Sequence, residues 1–149
     1  MVVQAGTSKT DLLADLYVTR GWLASVNNHH IEAVDDYSQA LAACRQRYGE
    51  DHPLVGWSYL LLGKARGENG DLNEGLDAMV RGLSILKKTV GPTDARYLIG
   101  EVAYSKLLDR TGRHEEAQRL SAEAEHSLQE TLKPQCRDCS TSVWSLRSH

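Results

Sequence analysis

The chain lacks the features that mark several large classes of protein. Among its 149 residues are three cysteines, an odd number that leaves at least one thiol unpaired and excludes a complete disulfide framework. The 17 Lys and Arg against 20 Asp and Glu give a net charge of −3, which supplies no basic field for nucleic acid. No apolar run approaches the roughly 18 residues of a membrane span, and the first residues lack the parts of a signal peptide. We therefore expect a cytoplasmic protein that binds neither nucleic acid nor membranes.

The sequence contains an internal repeat. Residues 31–41 recur at 73–83 and again at 115–125, with Ala33, Gly75 and Ala117 in equivalent positions and a constant step of 42 residues. Further columns keep the same step, for example Asn28 with the glycines at 70 and 112. A register that holds over so many columns is typical of a repeat protein with three copies.

Each copy has the periodicity of helices. Apolar residues fall three or four apart, and turn-forming residues interrupt them at regular intervals. Small residues such as Gly63, Gly75 and Gly82 cost helix propensity, so we expect them where two helices approach closely. No strand pattern precedes residue 134. The pattern predicts an all-α stack of antiparallel helix pairs, with helices at about 9–27, 30–48, 53–69, 72–90, 93–111 and 114–132.

The repeat resembles the tetratricopeptide repeat. Tyr17 and Tyr59 match the aromatic that opens the family pattern, Leu62-Gly63 matches its Leu-Gly pair, and Tyr37 matches its later aromatic. The period of 42 exceeds the usual 34 and, with the linker at residues 48–53, resembles the long repeats of kinesin light chains. The resemblance implies a right-handed α-α superhelix, or solenoid, of three helix pairs. The domain organisation would be a flexible arm at 1–8, a tetratricopeptide-like domain at 9–133 with repeats of about 9–52, 53–92 and 93–133, and an irregular tail at 134–149.

The resemblance also implies a function, because the first helices of such repeats line a concave groove. The groove positions of the family fall here on Val18, Trp22, Val26, Trp57, Leu60, Lys64, Ile99, Val102, Lys106 and Arg110. Such a surface suits a peptide or partner helix with apolar anchors and carboxylates. We therefore expect a scaffold or adaptor that binds protein partners. Alternatives stay open: the tryptophans at 22 and 57 could be core residues or be covered by the arm or by a second chain, and the lysines could be merely solvated.

Catalytic and metal motifs are missing from the sequence. We find no Gly-x-Ser-x-Gly, phosphate-loop or His-Glu-x-x-His pattern, so we expect neither an enzyme nor a cofactor. Cys136 and Cys139 form a lone Cys-x-x-Cys pair, whereas a structural zinc site needs four ligands. A local disulfide, a redox pair and ordinary thiols are the other interpretations of this pair.

The tail carries three apolar residues, Val143, Trp144 and Leu146, in a polar context. A stack of repeats leaves the outer face of its last helix open and needs a cap there. We expect these residues to fold over that face or to insert into a neighbouring molecule, or else the tail is disordered. The alternative function is accordingly a self-associating structural or regulatory module of a larger signalling protein, assembled as a homodimer.

Overall fold

The computed structural model describes residues 9–133, which form six α-helices and no strand. The helices pair antiparallel in chain order, α1 with α2, α3 with α4 and α5 with α6. The predicted all-α, right-handed solenoid of three helix pairs is confirmed, and each helix end lies within two residues of its predicted position. Their bounds are α1 Lys9–Val26, α2 His30–Tyr48, α3 Pro53–Asn69, α4 Leu72–Thr89, α5 Ala95–Arg110 and α6 His114–Leu132.

Local chemistry explains where the helices begin and end. Gly70 ends α3 in the left-handed conformation, with φ of 101°, which a residue without Cβ adopts at little cost. The equivalent residue of the first copy, Asn28, has φ of 61°. Helix α5 begins two residues later than predicted because Asp94 is its N-cap, and its carboxylate accepts a hydrogen bond from the Arg96 backbone N–H at 2.9 Å.

The glycines of the second copy lie where α3 and α4 touch. A Cβ added at Gly63 would lie 2.7 Å from the carbonyl oxygen of Gly75, and one added at Gly82 would lie 2.6 Å from that of Gly56. Both distances are shorter than any ordinary contact. The prediction that close helix approach, rather than helix propensity, selects glycine at these positions is confirmed.

The core consists of two clusters of buried side chains. The first joins α1, α2, α3 and α4, and in it Tyr37 packs against Gly21, so that a Cβ at Gly21 would be 2.9 Å from the ring. The second joins α3, α4, α5 and α6. Cys44 is buried in the first cluster, as expected for a small apolar residue. The second cluster comprises Leu60, Met79, Leu86, Tyr97, Leu98 and Leu107.

Contacts between repeats fix how the second and third copies stack. Leu107 of α5 is 4% exposed and inserts against Gly67 at the end of α3. One turn further on, the Arg110 guanidinium donates a hydrogen bond to the Gly67 carbonyl oxygen at 2.7 Å. This carbonyl belongs to the last turn of α3 and also accepts a hydrogen bond from the Gly70 backbone N–H at 3.1 Å. The Arg110 bond therefore ties the end of one repeat to the next. Within residues 9–133, no helix is long and apolar enough to cross a membrane.

Candidate functional site

The structure brings half of the predicted groove residues to one cavity. This cavity has a volume of about 430 Å³ and lies between α3, α5 and α6, where the third repeat stacks on the second, with Met79 of α4 also in its lining. Five predicted groove residues line it: Lys64, Ile99, Val102, Lys106 and Arg110. Its other lining residues are Glu68, Met79, Ala103, Leu107, Glu125 and Leu128.

The inner surface of the cavity is apolar. Met79 and Leu107 are buried, at 1% and 4% exposure, and belong to the second core cluster. Above them Val102 is half-buried and Ile99 is 45% exposed, a high value for an isoleucine. Leu128 of α6 is also partly buried against the core. A branched aliphatic or aromatic side chain that entered here would therefore contact carbon on several sides.

Three cations lie at the rim of the cavity, and they differ in what they already contact. The Lys64 ammonium lies 3.5 Å from the Glu68 carboxylate, one helical turn away, and Arg110 is bound to a backbone carbonyl. Lys106 is exposed and has no ion-pair partner among residues 9–133. Lys106 is therefore the rim cation most available to a ligand carboxylate, although Glu125 also lines the cavity.

Glu68 provides a second polar feature. Its side chain is 29% exposed, but its Oε2 atom is buried and has no hydrogen-bond partner among residues 9–133. A buried acceptor without a donor costs about 1–3 kcal/mol.

The other predicted groove residues lie elsewhere. On α1, Val18 is half-buried, whereas Trp22 and Val26 are 61% and 58% exposed, and none of the three lines the cavity. Trp57 is half-buried against the second core cluster, consistent with the core interpretation of this tryptophan.

Leu60 differs from its predicted role. It is 4% exposed, so the structure places it in the core and not on the groove surface. The reason is the absence of a side chain at Gly100 on α5, where a Cβ would lie 2.6 Å from Leu60 Cδ1. Leu60 fills the space that Gly100 leaves and so supports the packing of α5 on α3.

Sequence reasoning missed the contribution of α6 to the cavity. The family pattern assigns the groove to first helices, yet Glu125 and Leu128 come from a second helix. A signal was present in the repeat columns, since Glu125 replaces Leu83 and Ser121 replaces Met79 of the preceding copy. These exchanges make the outer face of α6 polar and open to solvent.

The predicted tail sites lie outside the described residues. Val143, Trp144 and Leu146, as cap or self-association residues, and Cys136 and Cys139, as thiols or metal ligands, stay predictions. Within residues 9–133, no group of three His, Cys, Asp or Glu side chains is arranged to hold a metal ion. The cysteine of that range is Cys44, and burial raises the pKa of its thiol, which disfavours the reactive thiolate.

Comparison with known proteins supports the repeat assignment. Residues 28–88 match the family model of the tetratricopeptide repeat. No curated protein matches the chain. Among solved structures, the fold is similar to that of a candidate kinesin light chain from Podosopora anserina with nearly identical TPR-like repeats. Two structures of that protein match, one of a variant with a single substitution and one without it.

These two structures superpose with TM-scores of 0.69 and 0.66 at 21% and 19% sequence identity, over 86% and 85% of this chain. The matched region spans only 61% and 59% of their own lengths. Such identities establish likeness of fold and nothing further. Residues 28–88 thus match the tetratricopeptide repeat, and the fold of residues 9–133 is similar to that of kinesin light chain-like repeats, as the resemblance to that family predicted.

Proposed function

We propose that the chain is a non-enzymatic interaction module that binds a peptide segment of a protein partner in the cavity between α3, α5 and α6. Tetratricopeptide repeats generally mediate protein–protein interactions. The observation that carries the proposal is the apolar cavity of about 430 Å³ with Lys106 at its rim, a lysine without an ion-pair partner in the described part of the chain. Its lining joins apolar wall residues to a few polar groups, which is the usual composition of a binding pocket.

The chemistry of the lining defines the ligand. An apolar side chain would fill the space above Met79 and Leu107, beside Val102. A carboxylate one or two residues away would pair with Lys106. We therefore expect a short motif with an apolar residue next to an acidic one.

Selection from a random peptide display library on the intact chain tests this proposal. The selected peptides should share the apolar-acidic pair. Lys106→Glu should weaken their binding by tenfold or more, since one charge-assisted contact is worth about 1.5–3 kcal/mol. Val102→Arg, which places a charge in the apolar wall, should abolish binding.

The matched control is Lys87→Glu, the same charge change at an exposed lysine of α4 that does not line the cavity. Binding to this variant should equal binding to the parent chain. Circular dichroism should show that all three variants keep the helical content of the parent. Equal binding by the parent, Lys106→Glu and Val102→Arg would show that the cavity is not the binding site.

A further inference from the structure

The outer face of α1 carries a continuous apolar stripe that no other helix of residues 9–133 covers. Leu12, Leu16, Leu23 and Val26 are 59%, 50%, 54% and 58% exposed. Thr19 lies between Leu16 and Leu23 in this series. The steps from one residue to the next are then four, three, four and three, so all five residues lie on one side of the helix. We refer to these five residues as the α1 stripe. Contiguous exposed apolar surface of this kind marks an interaction site.

The repeat register shows what such a face normally does. Leu23 is equivalent to Ala65 in the second copy and to Leu107 in the third, and both of these are buried, at 1% and 4% exposure. Leu107 is buried by the helices of the repeat before it. The α1 stripe is thus a repeat-packing surface without a preceding helix pair in the described structure.

Two observations select the occupant of this surface. The opposite end of the stack is polar, since Gln118, Ser121 and Glu125 stand in the columns of Leu76, Met79 and Leu83. Head-to-tail stacking of two copies would therefore bury a glutamate against the α1 stripe, which is costly without a partner. The α1 stripe, in contrast, is complementary to itself.

This self-complementarity follows from the spacing. When two α1 helices lie antiparallel with Thr19 near the two-fold axis, Leu12 of one copy faces Val26 of the other, and Leu16 faces Leu23. The Thr19 hydroxyl already donates to the Asp15 carbonyl oxygen at 2.8 Å, so its burial leaves no polar group unpaired. No charged residue lies within the α1 stripe.

The area is sufficient for a weak dimer. Together with the neighbouring Trp22, which is 61% exposed, the stripe would bury roughly 500 Å² per copy and about 1,000 Å² per pair, near the lower limit for specific interfaces. We propose that two copies of the chain associate through antiparallel contact of their α1 stripes. The contact is isologous, as expected for a closed two-fold dimer.

The test measures the mass of the intact chain by sedimentation at two concentrations a hundredfold apart. We expect the mass to rise towards twice the chain mass at the higher concentration. Leu16→Glu and Leu23→Glu should each be monomeric at both concentrations. The matched control is Ile31→Glu, the same class of change at an apolar residue of α2 that is 77% exposed and off the stripe, and this variant should associate like the parent.

Cysteine cross-linking tests the antiparallel arrangement. In a background with Cys136 and Cys139 replaced by serine, Thr19→Cys should form an intermolecular disulfide with itself. Leu12→Cys should cross-link poorly with itself but readily with Val26→Cys in a mixture. Self-linking of Leu12→Cys in preference to the mixed pair would contradict the antiparallel contact.

Three other results would overturn the proposal. A monomer at both concentrations would mean that the α1 stripe is free, or is covered by residues 1–8 or another protein. A dimer unaffected by Leu16→Glu and Leu23→Glu would place the interface elsewhere. A dimer lost on deletion of residues 134–149 but kept in both variants would assign assembly to the tail. None of these outcomes bears on the peptide cavity, whose test uses different residues.

Discussion

The contact between Leu107 and Gly67 predicts a specific coupling between two substitutions. Leu107 is 4% exposed, and the three atoms nearest to a Cβ built at Gly67 all belong to Leu107, the nearest at 2.5 Å. A side chain at position 67 and the leucine at position 107 therefore compete for the same space. The competition can be measured with Gly67→Ala, Leu107→Ala and the double variant.

The structure gives the magnitude for each variant. Leu107→Ala removes buried carbon at the junction of two repeats and should cost about 2–5 kcal/mol. Gly67→Ala should gain about 1 kcal/mol in helix propensity but lose about 1–3 kcal/mol to overpacking against the leucine. Its net effect in the parent chain is thus neutral or destabilising by up to about 2 kcal/mol.

The sign of the Gly67→Ala effect should reverse when Leu107 is truncated. The added methyl then enters vacated space, and the gain in helix propensity of about 1 kcal/mol remains. We expect a coupling free energy of about 1–3 kcal/mol, within the range found for residues in contact. Urea denaturation of the four proteins, followed by circular dichroism, measures it from the midpoints if the m values agree.

Gly21→Ala provides the control for this cycle. A Cβ at Gly21 would lie 2.9 Å from the Tyr37 ring, which belongs to the first core cluster, whereas Leu107 belongs to the second. This substitution should therefore destabilise both backgrounds equally. If Gly67→Ala also has the same effect in both backgrounds, then the glycine at position 67 is not selected by its contact with Leu107.

Three further substitutions test the conformation and titration of single residues. Burial raises the pKa of Tyr97 to about 12, and a hydrogen bond from the Tyr97 hydroxyl to the Glu101 carboxylate adds to this shift. Because the tyrosine of the unfolded state ionises first, stability should fall from about pH 10 upward. The urea midpoints at about pH 9 and about pH 11 should therefore differ less in Tyr97→Phe than in the parent. Hydrogen bonds from Arg96 lower the pKa of Asp94, so the stabilisation by this cap is present at neutral pH and is lost as the pH falls through the lowered pKa. Asp94→Ala should cost about 1 kcal/mol of stability at pH 7 in thermal melts. A cost that persists in strong acid would contradict this account. Asn28 has φ of 61°, so Asn28→Gly should raise the free energy of unfolding by up to about 1 kcal/mol, and a loss of stability would mean that the asparagine side chain stabilises the turn.

The helices could be predicted from the sequence because their signals are local and occur three times. The turn column of Asn28, Gly70 and Gly112 marks the break inside each helix pair, and the 42-residue step aligns the three breaks. The predicted start of α5, at 93, was less accurate because it departed from the 42-residue register. Its N-cap, Asp94, lies in the column of His52, the N-cap of α3, so the register places the start of α5 at residue 95.

The candidate site was predictable only in part, for a geometric reason. Sequence columns identify which face of a first helix lies towards the groove, but the stacking of neighbouring repeats decides how deeply each residue is buried. Leu60 and Val102 share one column, yet Leu60 is in the core and Val102 lines the cavity. The difference depends on Gly100, which lies 40 positions from Leu60 in the sequence. Only the folded structure shows that Leu60 fills the space left by the missing side chain of Gly100.

The two ends of the solenoid have opposite surface chemistry, and this asymmetry connects the two proposals. A helix packed on α6 as α5 packs on α4 would bury Gln118 and Glu125, whereas a helix packed on α1 would bury Leu16 and Leu23. Association through apolar burial therefore favours the α1 end. No helix of residues 9–133 covers the polar end, which lies beside the cavity that Glu125 lines. A dimer joined at α1 would carry its two peptide cavities at its outer ends, both accessible. A bivalent ligand with a linker long enough to span them should then bind the parent more tightly than it binds Leu23→Glu, while a single peptide binds both equally.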